Sequence, residues 1–193
     1  MNNQDVWDFI SKNKPVTDRP VVLSLELFLG YLRNGTDWYS ASEYAEISNN
    51  QIPWHDITVT VSLDNTVLYS GSPTDLLTLT HNFQDSNQTE FRVFQIKIQG
   101  LNHTHNPPWP GSGEPGGAAL RVRGHIDHIP LSLLMPKFAK YIVDHDGSTN
   151  VATEIMGQNG SQTLVIPTPF YSWLHQHRES LIWNLTYPNG YTP

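Results

Sequence analysis

Phe91-Arg92-Val93-Phe94-Gln95-Ile96-Lys97-Ile98-Gln99-Gly100 is the stretch whose reading decides the fold class. Phe94, Ile96 and Ile98 alternate with Gln95, Lys97 and Gln99. Successive side chains of a strand point to opposite faces, so this is a half-buried strand with one apolar and one wet face. The pattern predicts a strand central to an antiparallel sheet, ended by Gly100 and followed by a polar loop rich in proline and glycine.

Upstream, Leu23, Leu25, Leu27 and Leu29 share one face of a strand from Val21 to Leu29, with Ser24 and Glu26 opposite and Gly30 as its predicted end. Residues 31 to 54 lack sustained periodicity and read as a long connection, with one helical turn at Ala41 to Glu46. Ile57, Val59, Val61 and Leu63 alternate with Thr58, Thr60 and Ser62, and Asp64-Asn65 turns the chain into Thr66 to Ser70, making a hairpin. Leu76 to Thr80 is a further short strand. Downstream, Leu120 to Gly124, His125 to Leu133, Phe138 to Asp144 and Thr163 to Ile166 carry strand patterns. Thr168-Pro169-Phe170 reads as N-cap, first helical position and first core residue. Phe170, Trp173, Leu174, His177 and Leu181 then fall on one face, predicting an amphipathic helix over 169–184. Short strands separated by turn signals, with one late helix, indicate a mainly β chain: an antiparallel β-sandwich or jelly roll with a C-terminal amphipathic helix. Residues 1–20 form an N-terminal arm and 21–193 a single β-sandwich domain.

At 193 residues the chain suffices for one two-layer core. A net charge of -7, with the basic residues scattered, argues against nucleic-acid binding, which needs a basic face to neutralise phosphates. No apolar run is long enough to span a bilayer as a helix, and no apolar segment near Met1 reads as a signal peptide, so synthesis in a cytoplasm is expected. Without cysteine there is no disulfide, thiolate nucleophile or cysteine zinc site. In that setting the Asn-x-Ser/Thr triplets at Asn34, Asn87, Asn102, Asn159 and Asn184 are a product of composition.

Two segments read as contact surfaces. Val6, Trp7, Phe9 and Ile10 form a short apolar group followed by prolines, too short to hold a helix alone and so expected to dock on its own core or on a neighbouring subunit. Asn102 to Gly117 contains Pro107, Pro108, Trp109 and Pro110 followed by glycines; it predicts a protruding loop whose Trp109 faces a partner. Trp38, Tyr39, Trp54 and Trp109 supply aromatic faces on which sugar rings stack, so a carbohydrate-binding module is the alternative. His103 with His105, His125 and His128 around Asp127, and His145 between Asp144 and Asp146 are residue types that hold zinc, nickel or iron, but the spacing does not demand convergence. Glu26, Glu90, Asp127 and Asp144 could supply a carboxylate pair, with no separation fixed by the sequence. No nucleophile elbow, phosphate loop or H-E-x-x-H is present. No catalytic residue, metal or cofactor is expected.

Phe94 to Gly100 resembles the L-x-I-x-L-x-G strand of a family of virion proteins from large contractile-tailed bacteriophages, especially those of cyanobacteria. Val122 to Leu131 is similar to the family's following segment, in which apolar residues surround an Ile-Asp. Asn159 to Leu174 resembles its closing N-G-x-W-x-L-x-F-x-x-P-x-Y-x-W-L pattern, with Gln162 in place of the tryptophan. The resemblance covers residues 21 to 175 and implies a β-sandwich similar to carbohydrate-binding modules. It also implies a structural role in tail, baseplate, neck, fibre or capsid decoration, with other virion proteins and copies of itself as partners. It carries over no catalytic or ligand residues.

Overall fold

The computed structural model describes residues 20–48, 51–85 and 90–177. Two antiparallel sheets of six strands each pack face to face. Sheet one holds β1 (Pro20–Arg33), β2 (Asp37–Tyr39), β5 (Leu77–Gln84), β7 (Gly116–Ile126), β8 (Ile129–Pro130) and β11 (Ile155–Met156). Sheet two holds β3 (Thr58–Leu63), β4 (Thr66–Gly71), β6 (Glu90–Gln99), β9 (Ala139–Val143), β10 (Thr149–Val151) and β12 (Gly160–Thr168), in the order β10-β9-β12-β6-β3-β4. The fold is therefore the mainly β, two-layer sandwich that the alternation predicts.

The strand first read from the sequence, β6, lies inside sheet two between β12 and β3. Phe94, Ile96 and Ile98 are buried, and register sets them beside Leu63, Val61 and Val59 on one side and Leu164, Gln162 and Gly160 on the other. Opposite them, Leu23, Leu25, Leu27 and Leu29 of β1 join Leu120, Val122 and Ile126 of β7 in one continuous core. Each such side chain contributes about 1.5–3 kcal/mol by leaving water, set against the ordering of the chain that carries it. Gly100 ends β6 for a steric reason as well: its φ is +89°, and a Cβ there would run into the carbonyl oxygen of Asp56.

Several boundaries differ from the sequence reading. β1 does not stop at Gly30 but runs to Arg33, because β7 pairs with it from Leu23 to Arg33. Asn34 and Gly35, both at positive φ, then fold β2 back onto its end. The connection after residue 31 thus begins as strand and hairpin. It continues into helix α1 (Ala41–Ile47), whose N-terminus is held by reciprocal Ser40 and Glu43 hydrogen bonds. The predicted strand from His125 to Leu133 breaks at a two-residue turn, Asp127-His128, and Leu131–Phe138 is helix α2. Pro136 inside α2 argues against a helix on local grounds, yet its position is exposed while Leu131, Leu133, Leu134 and Met135 are buried. The short strands β10 and β11 are additions to the predicted set.

The late helix, α3, is described as Phe170–Gln176, with His177 closing it; the remainder of the predicted 169–184 span lies outside the described residues. Thr168 is not its cap. Thr168 ends β12 and its hydroxyl accepts from the Glu90 N–H at 3.2 Å, while the Thr168–Pro169 bond is cis. The first turn is held instead by buried Asp85, whose carboxylate accepts the Phe170 N–H at 2.7 Å. Phe170, Tyr171 and Leu174 are buried against the core.

One core position breaks the apolar pattern. Gln162 is 1% exposed on the inner face of β12, between Ile96 and Tyr141 in register, and neither its carbonyl nor its amide nitrogen finds a hydrogen-bond partner among the described residues. An unpaired buried polar group costs roughly 1–3 kcal/mol. We predict that Gln162→Met, similar in volume without those polar atoms, raises the free energy of unfolding by about 1–2 kcal/mol in urea titration. Destabilisation by the substitution would contradict this account of the site.

Candidate functional site

Three surfaces carry the side chains singled out above. The first is an aromatic corner built by the β1–β2 hairpin, α1 and the loop after β6. Consecutive strand residues face opposite ways, so Trp38 and Tyr39 part company across β2. Tyr39 joins Tyr31, Tyr44 and Trp109. Tyr31 and Tyr44 stack at 4.2 Å between centroids and 16° between planes, and Trp109 sits 4.5 Å from Tyr39 and 5.8 Å from Tyr31. The Arg33 guanidinium covers the Trp109 ring at 4.7 Å and forms an ion pair with Glu114.

These contacts correct the picture of a protruding loop. The Trp109 N–H donates to the Glu114 carbonyl at 2.8 Å, the Asn34 N–H donates to the Pro115 carbonyl at 3.0 Å, and the Tyr31 hydroxyl donates to the Pro107 carbonyl at 2.6 Å. Burial, with the neighbouring Tyr44 adding to it, pushes the Tyr31 phenol up to about 12, which keeps it a donor at ordinary pH. Pro107, Trp109 and Pro110 are half-buried, and Pro108 is exposed. His105, in a 3₁₀ turn (His103–His105), is buried: its Nδ1 accepts from the Asn102 N–H at 3.1 Å and its Nε2 lies 3.3 Å from the Pro53 carbonyl, which makes Nε2 the protonated nitrogen. It is a structural histidine.

The second surface is the outer face of sheet one. Register sets lateral rows across β5, β1 and β7: Thr80, Ser24 and His125; Thr78, Glu26 and Arg123; then Phe28 beside Arg121. Trp38 meets Phe28 edge-on at 6.2 Å, and the Arg121 guanidinium lies 5.3 Å from the Phe28 ring and 5.4 Å from that of Trp38. Arg123 pairs with Glu154 at 3.6 Å. A cavity of about 250 Å³ opens among Ser24, Leu25, Glu26, Thr78, Gly124 and His125.

The third is the outer face of sheet two. Gln95, Lys97 and Gln99 are its wet part, but the same parity places Phe91 and Val93 there too. Val93 stands beside Val165 and Phe91 beside Pro167. Phe91 is 63% exposed, and Val93 and Val165 are 39% exposed each. Ile142 on β9 and Val151 on the edge strand β10 are exposed as well.

Of the four proposed sugar-stacking residues, Trp38 is thus on the outer face of sheet one. Tyr39, Trp54 and Trp109 pack around the aromatic corner, so the four do not make one platform. The Val6, Trp7, Phe9 and Ile10 arm lies outside the described residues. Asp127 is engaged by the fold: its carboxylate accepts the Val22 N–H at 2.8 Å and the Tyr171 hydroxyl. His145 is exposed beside Asp146, at 3.3 Å. Glu26 belongs to sheet one, whereas Glu90 starts β6 and Asp144 follows β9, both in sheet two. Among the described residues no three His, Asp or Glu side chains converge as metal ligands would. Phe28, Arg121, Arg123, Phe91 and Val165 escaped the sequence reading; outward strand parity was the signal available for each. Comparison with protein-family models, curated proteins and solved structures finds no match to this chain.

The Arg33–Glu114 pair yields a pH prediction. Hydrogen bonding from Arg33 holds the Glu114 carboxyl below its ordinary value of about 4.3, so its contribution is complete above that value and is lost as pH falls through the depressed native one. Both groups are partly exposed, so the effect is on the loop rather than on global stability. At neutral pH, residues 107–115 of Glu114→Gln are expected to exchange amide hydrogen faster than those of the unmodified protein. In acid well below the ordinary carboxylate range the two should coincide. Equal protection at neutral pH would remove the pin.

Proposed function

We propose that the protein is a non-enzymatic structural subunit of a tailed-phage particle, working through protein–protein contacts with copies of itself and with other virion proteins. The observation that carries this reading is the pair of adjacent apolar couples on the outer face of sheet two, Phe91 with Pro167 and Val93 with Val165. Side chains on a solvated sheet face are ordinarily polar, and a contiguous exposed apolar patch marks a surface that another molecule covers. Covering it returns about 25 cal/mol per Å² of apolar area. A patch of this size is weak alone, but association that repeats over many copies adds stability by mass action. The resemblance of β6 and of Asn159 to Leu174 to virion proteins supports the particle as the setting. The use of Asp127 and His105 in backbone and side-chain bonds of the fold favours a structural over a catalytic role.

The test combines sedimentation of the purified chain with proteomics of purified particles. Self-association that weakens at least tenfold in Phe91→Asp or Val165→Lys, with an unchanged circular dichroism spectrum, is the expected result; such surface changes ordinarily leave stability within about 0.5 kcal/mol. A chain that stays monomeric at high concentration and is absent from particles by mass spectrometry would overturn the proposal.

A further inference from the structure

We propose that the outer face of sheet one is a glycan-binding surface that takes a neutral oligosaccharide across β5, β1 and β7, one sugar ring seated in the cavity over Gly124. The site lies on the opposite side of the sandwich from the apolar couples of sheet two, so it stays open when that face is covered.

The cavity is a built feature. Gly124 has φ +155°, and a Cβ there would strike the Ser24 carbonyl oxygen, so no other residue fits without moving β1. Leu25 turns its side chain into the core and contributes backbone on this face. The lining residues Ser24, Glu26, Thr78 and His125 bring hydroxyl, carboxylate and imidazole chemistry to this part of the sheet. The volume of about 250 Å³ falls just under the roughly 300 Å³ at which pockets for drug-sized ligands begin, which suits a single ring.

Beside the cavity, Arg121 is held by Phe28 and Trp38 but makes no hydrogen bond or ion pair among the described residues. A guanidinium is planar with five N–H donors, and packing beside two aromatic rings lowers the entropy lost when a ligand engages its edge. Burial disfavours its charge, and the adjacent Arg123 adds to this. Sugar rings present what these groups complement: neighbouring hydroxyls that pair with a guanidinium edge or carboxylate, and apolar C–H faces for the aromatic flank.

Charge selects the class. Arg121 and Arg123 are balanced by Glu26 and Glu154, and the whole chain is acidic, so a phosphate- or sulfate-rich polymer gains no electrostatic advantage here. A neutral glycan does not need one.

Glycan arrays displaying neutral hexose oligosaccharides alongside uronate-containing and sulfated ones, probed with the full chain, test this directly. The expected result is binding to a neutral oligosaccharide. In titration calorimetry with that oligosaccharide it should weaken at least tenfold in Arg121→Lys, which keeps the charge but loses the fork, and in Glu26→Gln. Phe91→Asp, on the other sheet, should bind unchanged. Circular dichroism of each variant separates lost binding from lost folding. An array blank at millimolar sugar, binding confined to acidic or sulfated glycans, or affinity indifferent to both sheet-one variants would overturn the proposal.

Discussion

The leucine row of β1 and the Phe94–Ile96–Ile98 row of β6 can leave water only by covering each other, and most of the structure follows from that mutual burial. Because a strand alternates with period two, committing one face of β1 and β6 to the interior also commits every second residue to the exterior. Glu26 and Phe28 are outside for the same reason that Leu25 and Leu27 are inside, and Arg121 and Leu120 of the paired strand β7 follow the same rule. A one-residue slip of either strand would exchange the two sets, so the core fixes the surface chemistry without touching it.

The two exteriors that result are unlike. Sheet two presents Phe91, Val93 and Val165 with little polar relief at one end, while sheet one presents a lattice of hydroxyl, carboxylate, imidazole and guanidinium groups edged by Phe28 and Trp38. The first suits a large dry contact and the second a small wet one. Between them, the ends of the sandwich are closed by the chain itself: Trp109 and Tyr31 at one corner, α3 and Asp85 at another. Rings that look available when taken singly are spent there as plugs.

How legible this was depended on range. Alternation exposed β1, β3, β6 and β12, and Asp64-Asn65 exposed its hairpin, because each signal lies within a few residues. The extension of β1 past Gly30 was hidden, since it is imposed by β7, some ninety residues away in the chain. α2 was hidden because Leu131 to Met135 is apolar at nearly every position, a pattern that does not distinguish a buried helix from a strand, and Pro136 tilted the reading the wrong way. At the candidate sites, types were readable and neighbours were not. Trp38 was recognised as a stacking residue, but its partners Phe28 and Arg121 come from two other strands. Parity alone would have placed Val93 and Phe91 on the wet face of β6 had it been carried back four residues from Gln95.

The position of β12 has a kinetic consequence. It inserts between β6 and β9, both of which precede it in the chain, so one edge of β6 has no partner until residues 160–168 have been synthesised. Pairing over this distance closes a large loop before any contact rewards it, and chains of this topology fold slowly. For that interval an unpaired strand edge lies next to the apolar Phe91 and Val93, a combination that invites intermolecular pairing. The window between completion of β6 and arrival of β12 is therefore one in which the nascent chain is exposed to misassembly.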